Sequence, residues 1–185
     1  KNTIRNALGG IRLRKEFRDL QARYLRENLP GFIGESNVIQ DVMQVVQRAA
    51  ASADTSILIT GESGTGKEVV ARAIHGHSPH FEGPFVALNC AAIPGDLLES
   101  ELFGYEQGAF TGARSRGKSG LIEEAQGGTL FLDEVGDLSA AGQAKLLRFL
   151  ESGEYYRVGG TRRRQVATRI VSATNRDLPA AIDTG

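Results

Sequence analysis

Tryptophan is absent from this 185-residue sequence, cysteine occurs once, and acidic and basic residues balance to a formal net charge of zero. The single cysteine, Cys90, excludes an internal disulfide and is typical of a reducing compartment. The balanced charge gives no overall indication of nucleic-acid or membrane binding. No apolar run approaches the roughly 18 residues of a membrane-spanning helix, and the charged N-terminus lacks the apolar stretch of a secretion signal. These absences predict a soluble, cytoplasmic protein that has no membrane partner.

The apolar residues that are present, 41% of the chain, are enough for the core of one domain. The first 30 residues carry eight Lys/Arg and three Asp/Glu, net +5, whereas the remainder carries 14 and 19, net −5. Apolar residues spaced by four, three and four positions predict a helical linker over residues 1–29. A pattern of two heptads is equally consistent with two structures. One is a coiled coil that follows an upstream regulatory domain, and the other is an amphipathic helix packed on its own domain. The apolar residues of this seam are Leu13, Phe17, Leu20 and Tyr24.

From residue 30 onward, short apolar strands alternate with helical segments. This alternation predicts an α/β fold, in which a parallel sheet is covered by helices on both faces. The predicted strands span residues 57–60, 85–89, 129–132 and 169–173. The predicted helices span residues 38–51, 67–75, 94–103 and 139–151.

A glycine-rich loop follows the first predicted strand and reads G-E-S-G-T-G-K-E. Glycines let backbone N–H groups approach phosphate oxygens, and the helix that follows offers its N-terminal N–H groups to the anion. The lysine places a positive charge at the β- and γ-phosphates, whereas the general motif continues with a Ser or Thr that binds Mg²⁺. The pattern predicts a site for ATP and Mg²⁺, with glutamate in place of that hydroxyl. The loop residues are Gly61, Glu62, Ser63, Gly64, Thr65, Gly66, Lys67 and Glu68.

Two carboxylates, Asp133 and Glu134, follow the third predicted strand. Ligands of open α/β sheets bind at the carboxyl ends of the strands. We therefore expect Asp133 to hold Mg²⁺ and Glu134 to polarise the attacking water. Asn89 and Asn175 end two other predicted strands, and on residue type alone each is typical of an Asx turn.

The chain from residue 32 onward resembles the ATPase core of the sigma-54-dependent transcriptional activators, an AAA+ family also called bacterial enhancer-binding proteins. The phosphate loop has the Lys-Glu ending of that family, and the sequence G-A-F-T-G-A at 108–113 is its most specific motif. Further similar segments are F-I-G-E-S, N-C-A-A, E-L-F-G and R-V-G-G, at residues 32–36, 89–92, 101–104 and 157–160. The family usually has His at the position of Tyr105, and often a basic residue at that of Gln107.

This resemblance implies a P-loop NTPase (AAA+) subdomain over residues 30–185, preceded by the linker helix and truncated before the fifth strand, the helical lid and the trans-acting arginines. It implies ATP hydrolysis in a hexameric or heptameric ring that remodels the closed complex of sigma-54 and RNA polymerase. DNA would be bound by a domain outside this sequence, and the 185 residues alone would hydrolyse ATP poorly. Two alternatives stay open: an AAA+ ATPase that remodels another protein, and an ATP-sensing regulator without remodelling activity.

The resemblance also assigns roles to individual residues. Asn175, with Thr174, would place the lytic water, and Asn89 would pair with the catalytic Glu134. The residues that would lie along the adenine are Phe32, Ile33 and Gly34.

The G-A-F-T-G-A loop consists mainly of glycine and alanine, so its only sizeable side chains are Phe110 and Thr111. An exposed aromatic residue on such a loop is typical of a partner-binding site, and the resemblance implies that the partner is sigma-54. The alternative is that Phe110 is buried in the core. The predicted partner-binding residues are Gly108, Ala109, Phe110, Thr111, Gly112 and Ala113.

The remaining candidates have simpler explanations. Three histidines, His75, His77 and His80, are spaced like metal ligands, but a solvated helix end is favoured because the segment contains a proline and has no cysteine nearby. Cys90 is predicted to be a small buried residue. The run of three arginines at 162–164 could contact DNA phosphates, but a solvated hairpin tip is favoured.

Overall fold

The computed structural model describes residues 15–17, 19–23, 37–53, 55–110 and 117–178. The strands in this part of the chain are β1 (Ile57–Thr60), β2 (Phe85–Asn89), β3 (Gly104–Tyr105), β4 (Lys118–Ser119), β5 (Thr129–Asp133), β6 (Glu154–Tyr155), β7 (Arg164–Gln165) and β8 (Arg169–Thr174). The α-helices after residue 36 are α1 (Asn37–Ala50), α2 (Lys67–His77), α3 (Gly95–Phe103), α4 (Leu121–Glu124) and α5 (Ala140–Ser152).

The centre of the fold is a four-stranded parallel sheet with the order β1-β8-β5-β2. On one face, Leu130 and Ile170 pack with residues of α3 and α5; on the other, Phe131 and Val171 pack with residues of α1 and α2. Burial on both sides explains why β5 reads as a continuous apolar run rather than an alternating one. The predicted α/β fold with helices on both faces is confirmed.

The helix ends follow from local capping. The hydroxyl of Ser139 accepts a hydrogen bond from the Gly142 N–H at 3.1 Å and begins α5. Gly153, with φ of 69°, donates to the carbonyl of Phe149 at 2.7 Å and ends it. Helix α2 continues two residues beyond the predicted end, to His77, before Ser78 adopts an extended backbone.

Two short antiparallel hairpins, β3–β4 and β6–β7, lie beside each other outside the central sheet. The Glu106 N–H donates to the Val158 carbonyl at 3.0 Å, and the Val158 N–H donates to the Gly104 carbonyl at 2.8 Å. Within the first hairpin, a Cβ on Gly120 would lie 2.4 Å from the backbone nitrogen of Gly104, so the close approach of the chain after β4 to β3 requires glycine. The two hairpins thereby fix the start of the predicted G-A-F-T-G-A loop.

Residues 15–17 and 19–23 are helical, as expected for part of the linker. The ring of Phe17 meets that of Phe81 edge-on, with centroids 5.1 Å apart, and the Gln21 side chain donates to the Ser78 carbonyl at 3.4 Å. These contacts favour a helix packed on its own domain at this point, although Leu13 and Tyr24 of the predicted seam lie outside the described residues. Within the described ranges, no helix is both long enough and apolar enough to cross a membrane.

Candidate functional site

The predicted phosphate-loop and catalytic residues collect at one edge of the central sheet, because its parallel strands all end there. The loop at 61–66 follows β1, the two carboxylates lie at the end of β5, and Asn175 follows β8. Thr60 is in register with Thr174, and Asn89 is in register with Asp133. The fold therefore juxtaposes segments that are far apart in the sequence.

The glycine-rich loop turns tightly between β1 and α2. Gly64 and Gly66 have φ values of 80° and 87°, a left-handed conformation that favours glycine. A Cβ at either position would meet no atom within 4 Å, so the backbone conformation rather than crowding requires glycine there. The Thr65 hydroxyl closes the turn by donating to the Glu62 carbonyl at 2.8 Å. Such a turn before a helix N-terminus forms a cradle that fits phosphate oxygens.

Lys67 lies between this loop and the carboxylates. Its side chain is only 7% exposed, and its ammonium group donates to the carbonyls of Gly61 and Glu62 at 3.0 and 3.1 Å. The same nitrogen lies 3.5 Å from Oε1 of Glu134. A buried positive charge is thus held beside the loop, where it can balance phosphate charge.

Glu134 has an unusual backbone conformation. It is the only non-glycine residue with positive φ, 51°, in the part of the chain that the structure describes. A non-glycine residue in this region costs about 1–3 kcal/mol, and such strain clusters at functional sites. Its Oε2 accepts a hydrogen bond from the Asn175 N–H at 3.0 Å. The carboxylate is therefore held from both sides, by Lys67 and by the turn after β8.

Asp133, which lies next to Glu134, contacts Asn89 at the end of β2. Oδ1 of Asp133 accepts from the Glu134 N–H at 3.2 Å, and Oδ2 accepts from the Asn89 side-chain amide at 3.4 Å. The Asn89 oxygen also accepts from the Ala91 N–H at 2.9 Å, which is the Asx turn suggested by residue type. In this structure Asn89 pairs with Asp133 rather than with Glu134, so the expected Asn89–Glu134 pair stays a prediction.

Thr174 and its neighbours form a turn that residue type did not reveal. The Thr174 side chain is buried, and its hydroxyl accepts a hydrogen bond from the Arg176 N–H at 3.1 Å. The Arg176 guanidinium forms an ion pair with Asp137 and packs on Gly136, where a Cβ would lie 2.9 Å from Arg176 Cδ. Arg176 and Asp137 brace the turn that carries Glu134, and the sequence motifs gave no reason to select either.

The predicted partner-binding loop is described in part. Gly108, Ala109 and Phe110 are placed, whereas Thr111, Gly112 and Ala113 lie outside the described residues, as do Phe32, Ile33 and Gly34. The Phe110 side chain is 39% exposed, and its ring meets that of Tyr105 edge-on at 5.1 Å. Phe110 is therefore neither fully exposed nor part of the core.

A charged cluster supports the hairpins that carry this loop. Arg157 forms two hydrogen bonds with the Glu123 carboxylate, both 2.8 Å, and Arg164 donates to Glu106 at 3.0 Å. Burial opposes ionisation of Glu123, but hydrogen bonds from Arg157 and Tyr155, together with the positive charges of Arg157 and Arg164, outweigh burial and lower the pKa of this carboxyl. Arg163 pairs with Glu154 at 3.1 Å, so two of the three consecutive arginines are engaged in ion pairs.

The expectation of a solvated helix end at the histidines is wrong for His75. Its ring is fully buried, and Nδ1 lies 2.9 Å from the hydroxyl of Thr129. Burial lowers the pKa of His75 to about 4, so the ring is neutral near pH 7. Cys90 is buried as predicted, and burial raises the pKa of its thiol to about 12, which leaves it unreactive.

The sheet, the glycine-rich loop, the buried lysine and the two carboxylates define an α/β domain with the fold of the P-loop NTPases. The chain belongs to the sigma-54 interaction domain family, which matches residues 32–185. Its relatives include the Nif-specific regulatory protein of Herbaspirillum seropedicae, which is 55% identical over 168 residues, covering 91% of this chain and 30% of the relative. The DNA-binding transcriptional regulator NtrC of Escherichia coli is 51% identical over 167 residues, covering 89% of this chain and 35% of the relative.

Among solved structures, NtrX from Brucella abortus in complex with ADP superposes with a TM-score of 0.74 at 39% identity. The superposition covers 99% of this chain and 37% of that one. The chain thus spans about a third of the length of the relatives it matches.

Proposed function

We propose that this chain is the ATP-binding and ATP-hydrolysing core of a sigma-54-dependent transcriptional regulator. The observation that carries the proposal is the meeting of Lys67, Asp133 and Glu134 at the end of the sheet, in a chain of the sigma-54 interaction domain family. The proposal is further supported by the regulators among its relatives and by the nucleotide bound to the similar NtrX.

The phosphates of ATP would lie in the loop at 61–66, against Lys67 and the N-terminus of α2. Asp133 presents carboxylate oxygens at the end of β5, and oxygen is the ligand type that suits Mg²⁺. When bound, Mg²⁺ would neutralise charge that develops on the β- and γ-phosphates. Asp133 would hold the metal, and Glu134 would accept a proton from the attacking water.

The chain's own contacts orient that proton acceptor. The Asn175 N–H fixes one oxygen of Glu134, and the Lys67 ammonium group lies 3.5 Å from the other. In the proposed mechanism the Asn175 side chain, with Thr174 behind it, helps to place the water. Phe32, Ile33 and Gly34 would lie along the adenine.

The loop at 108–113 would couple ATP hydrolysis to the remodelling of sigma-54. Phe110 and Thr111 supply its sizeable side chains, and they would contact sigma-54 bound to RNA polymerase. The complete protein would act as a ring of identical subunits, six or seven in number, and would bind DNA through a domain outside this sequence.

Capture of sigma-54 by the full-length protein tests this function. ATP is replaced by a transition-state analogue, ADP with aluminium fluoride, and co-elution of the two proteins is measured by gel filtration. We expect co-elution with the analogue and none with ADP. A protein that hydrolyses ATP but never retains sigma-54 would instead be a remodeller of another target, and one without steady hydrolysis would be an ATP-sensing regulator.

A further inference from the structure

Glu68 occupies a position at which a negative charge is unfavourable for the proposed ligand. It lies in the first turn of α2, directly after Lys67, where the general phosphate-loop motif has the Mg²⁺-binding hydroxyl. The N-terminus of a helix attracts anions, so a carboxylate there competes with phosphate for the same N–H groups and the same positive end of the dipole. An unneutralised Glu68 would therefore weaken the binding of ATP.

The structure turns this carboxylate away from the loop. The side chain of Glu68 is 53% exposed, and its Oε1 accepts two hydrogen bonds from Arg72, from Nε at 3.0 Å and from Nη2 at 2.7 Å. Residues four apart lie on the same helix face one turn along, so the pair draws Glu68 toward the C-terminal end of α2.

Arg72 is itself fixed by a contact outside the helix. Its guanidinium lies over the ring of Phe85, 4.5 Å from the centroid. Phe85 begins β2 and stacks on the buried Phe131, with ring centroids 6.1 Å apart, so the platform belongs to the rigid sheet. The planar fork of arginine can stack on a ring and bind a carboxylate at once, which lysine cannot do equally well.

We propose that Arg72 is a positioning residue for nucleotide binding: anchored on Phe85, it holds and neutralises the Glu68 carboxylate so that this charge does not oppose the phosphates of ATP. The inference rests on the proposed nucleotide site at Lys67. Arg72 does not touch the ligand and acts through Glu68. Its effect should therefore disappear when Glu68 carries no charge.

A double-mutant cycle tests this dependence. The dissociation constant of Mg²⁺-ATPγS is measured by titration calorimetry for full-length parent, Arg72→Gln, Glu68→Gln and the double variant. We expect Arg72→Gln to weaken binding about threefold to tenfold, as for one uncompensated charge near the phosphates in a solvent-exposed setting. In the Glu68→Gln background the same substitution should change the affinity by less than about twofold.

Arg148→Gln is the matched control, because Arg148 also stacks on an aromatic ring, 5.1 Å from the centroid of Tyr156, but on α5. It should leave the affinity unchanged, and thermal unfolding should show that all variants fold. An equal loss of affinity in both Glu68 backgrounds would mean that Arg72 acts through its own charge. Unchanged affinity in both backgrounds would mean that Arg72 has no role in nucleotide binding. Either result would overturn the proposal. Failure of the nucleotide site itself would show differently, as unchanged binding in Lys67→Ala.

Discussion

The ammonium group of Lys67 lies 3.5 Å from the carboxylate of Glu134, with the two side chains only 7% and 16% exposed. The contact joins the first residue of α2 to the turn after β5, so it links the proposed phosphate-binding loop to the proposed proton acceptor. A partly buried pair of this kind is screened less by salt than a surface pair. In the proposed function the two residues have separable roles, because Lys67 would balance phosphate charge and Glu134 would act on water.

Substitution of these two residues should separate binding from hydrolysis. Lys67→Ala removes the charge that would face the β- and γ-phosphates, and we expect it to abolish ATP binding. Glu134→Gln keeps the shape of the side chain but loses the proton acceptor, so it should bind ATP and lose turnover by about 10²-fold or more. Binding is measured by titration calorimetry and turnover by phosphate release.

Lys145→Ala is the control for both measurements, because Lys145 forms an ion pair with Glu99 on the surface and has no part in the site. It should bind and hydrolyse ATP as the parent does. Normal hydrolysis by Glu134→Gln would show that another group activates the water.

The buried His75 should make the fold sensitive to acid. Its pKa falls from 6.5 to about 4 in the folded protein because of burial, so the unfolded chain binds the proton more tightly. Stability therefore declines as the pH falls through about 6.5, and the full loss, about 3 kcal/mol, is reached below about pH 4. Urea unfolding between pH 4 and 7 measures it, and His75→Gln should flatten the profile over this window. An equally steep profile in the variant would assign the acid sensitivity to other groups.

The backbone segments that directly precede β2 and β5 are closely packed, so one added methyl group there should lower the stability of the fold. A Cβ on Gly128 would lie 2.0 Å from the carbonyl oxygen of Pro84, a backbone atom that cannot move aside easily. We expect Gly128→Ala to lower the free energy of unfolding by about 1–3 kcal/mol. Gly95→Ala is the control, since a Cβ there meets nothing within 4 Å and α3 begins at this residue. It should be neutral or stabilise by up to about 1 kcal/mol, and a similar loss in both variants would contradict this explanation.

The central sheet could be predicted because its strands read as short apolar runs, and the two central strands, β5 and β8, are buried on both faces. The proximity of Lys67, Asp133 and Asn175 could be predicted because parallel strands bring them to one edge of the sheet whatever their separation in sequence. The burial of Cys90 likewise followed from its residue type. The burial of His75 could also have been predicted from the sequence, because His75 lies four residues after Ala71 and one after Ile74, on the buried face of α2.

Other features depend on tertiary contacts that no periodic pattern records. Strands β3, β4, β6 and β7 have two residues each, too few for an alternation to be recognised. The left-handed backbone of Glu134 is imposed by its surroundings, since glutamate does not favour it. The choice of Asn89 between Asp133 and Glu134 is a matter of side-chain rotamers, which sequence spacing does not determine.

Substitution of Phe110 provides the most direct test of the proposed function, because it should separate ATP hydrolysis from the remodelling of sigma-54. Its partly exposed ring rests on Tyr105, and a single aromatic anchor can contribute about 2 kcal/mol or more to an interface. In the full-length protein, Phe110→Ala should keep ATP binding and most hydrolysis but fail to retain sigma-54 and to open promoter DNA. Leu147→Ala, which removes an exposed apolar side chain from α5, serves as the control and should behave as the parent.

The decisive measurement is promoter opening and ATP hydrolysis assayed side by side for parent, Phe110→Ala and Leu147→Ala. We expect hydrolysis in all three and open promoter complexes with the parent and Leu147→Ala alone. Promoter opening by Phe110→Ala at the parental level would contradict the assignment of this loop as the element that couples ATP hydrolysis to sigma-54.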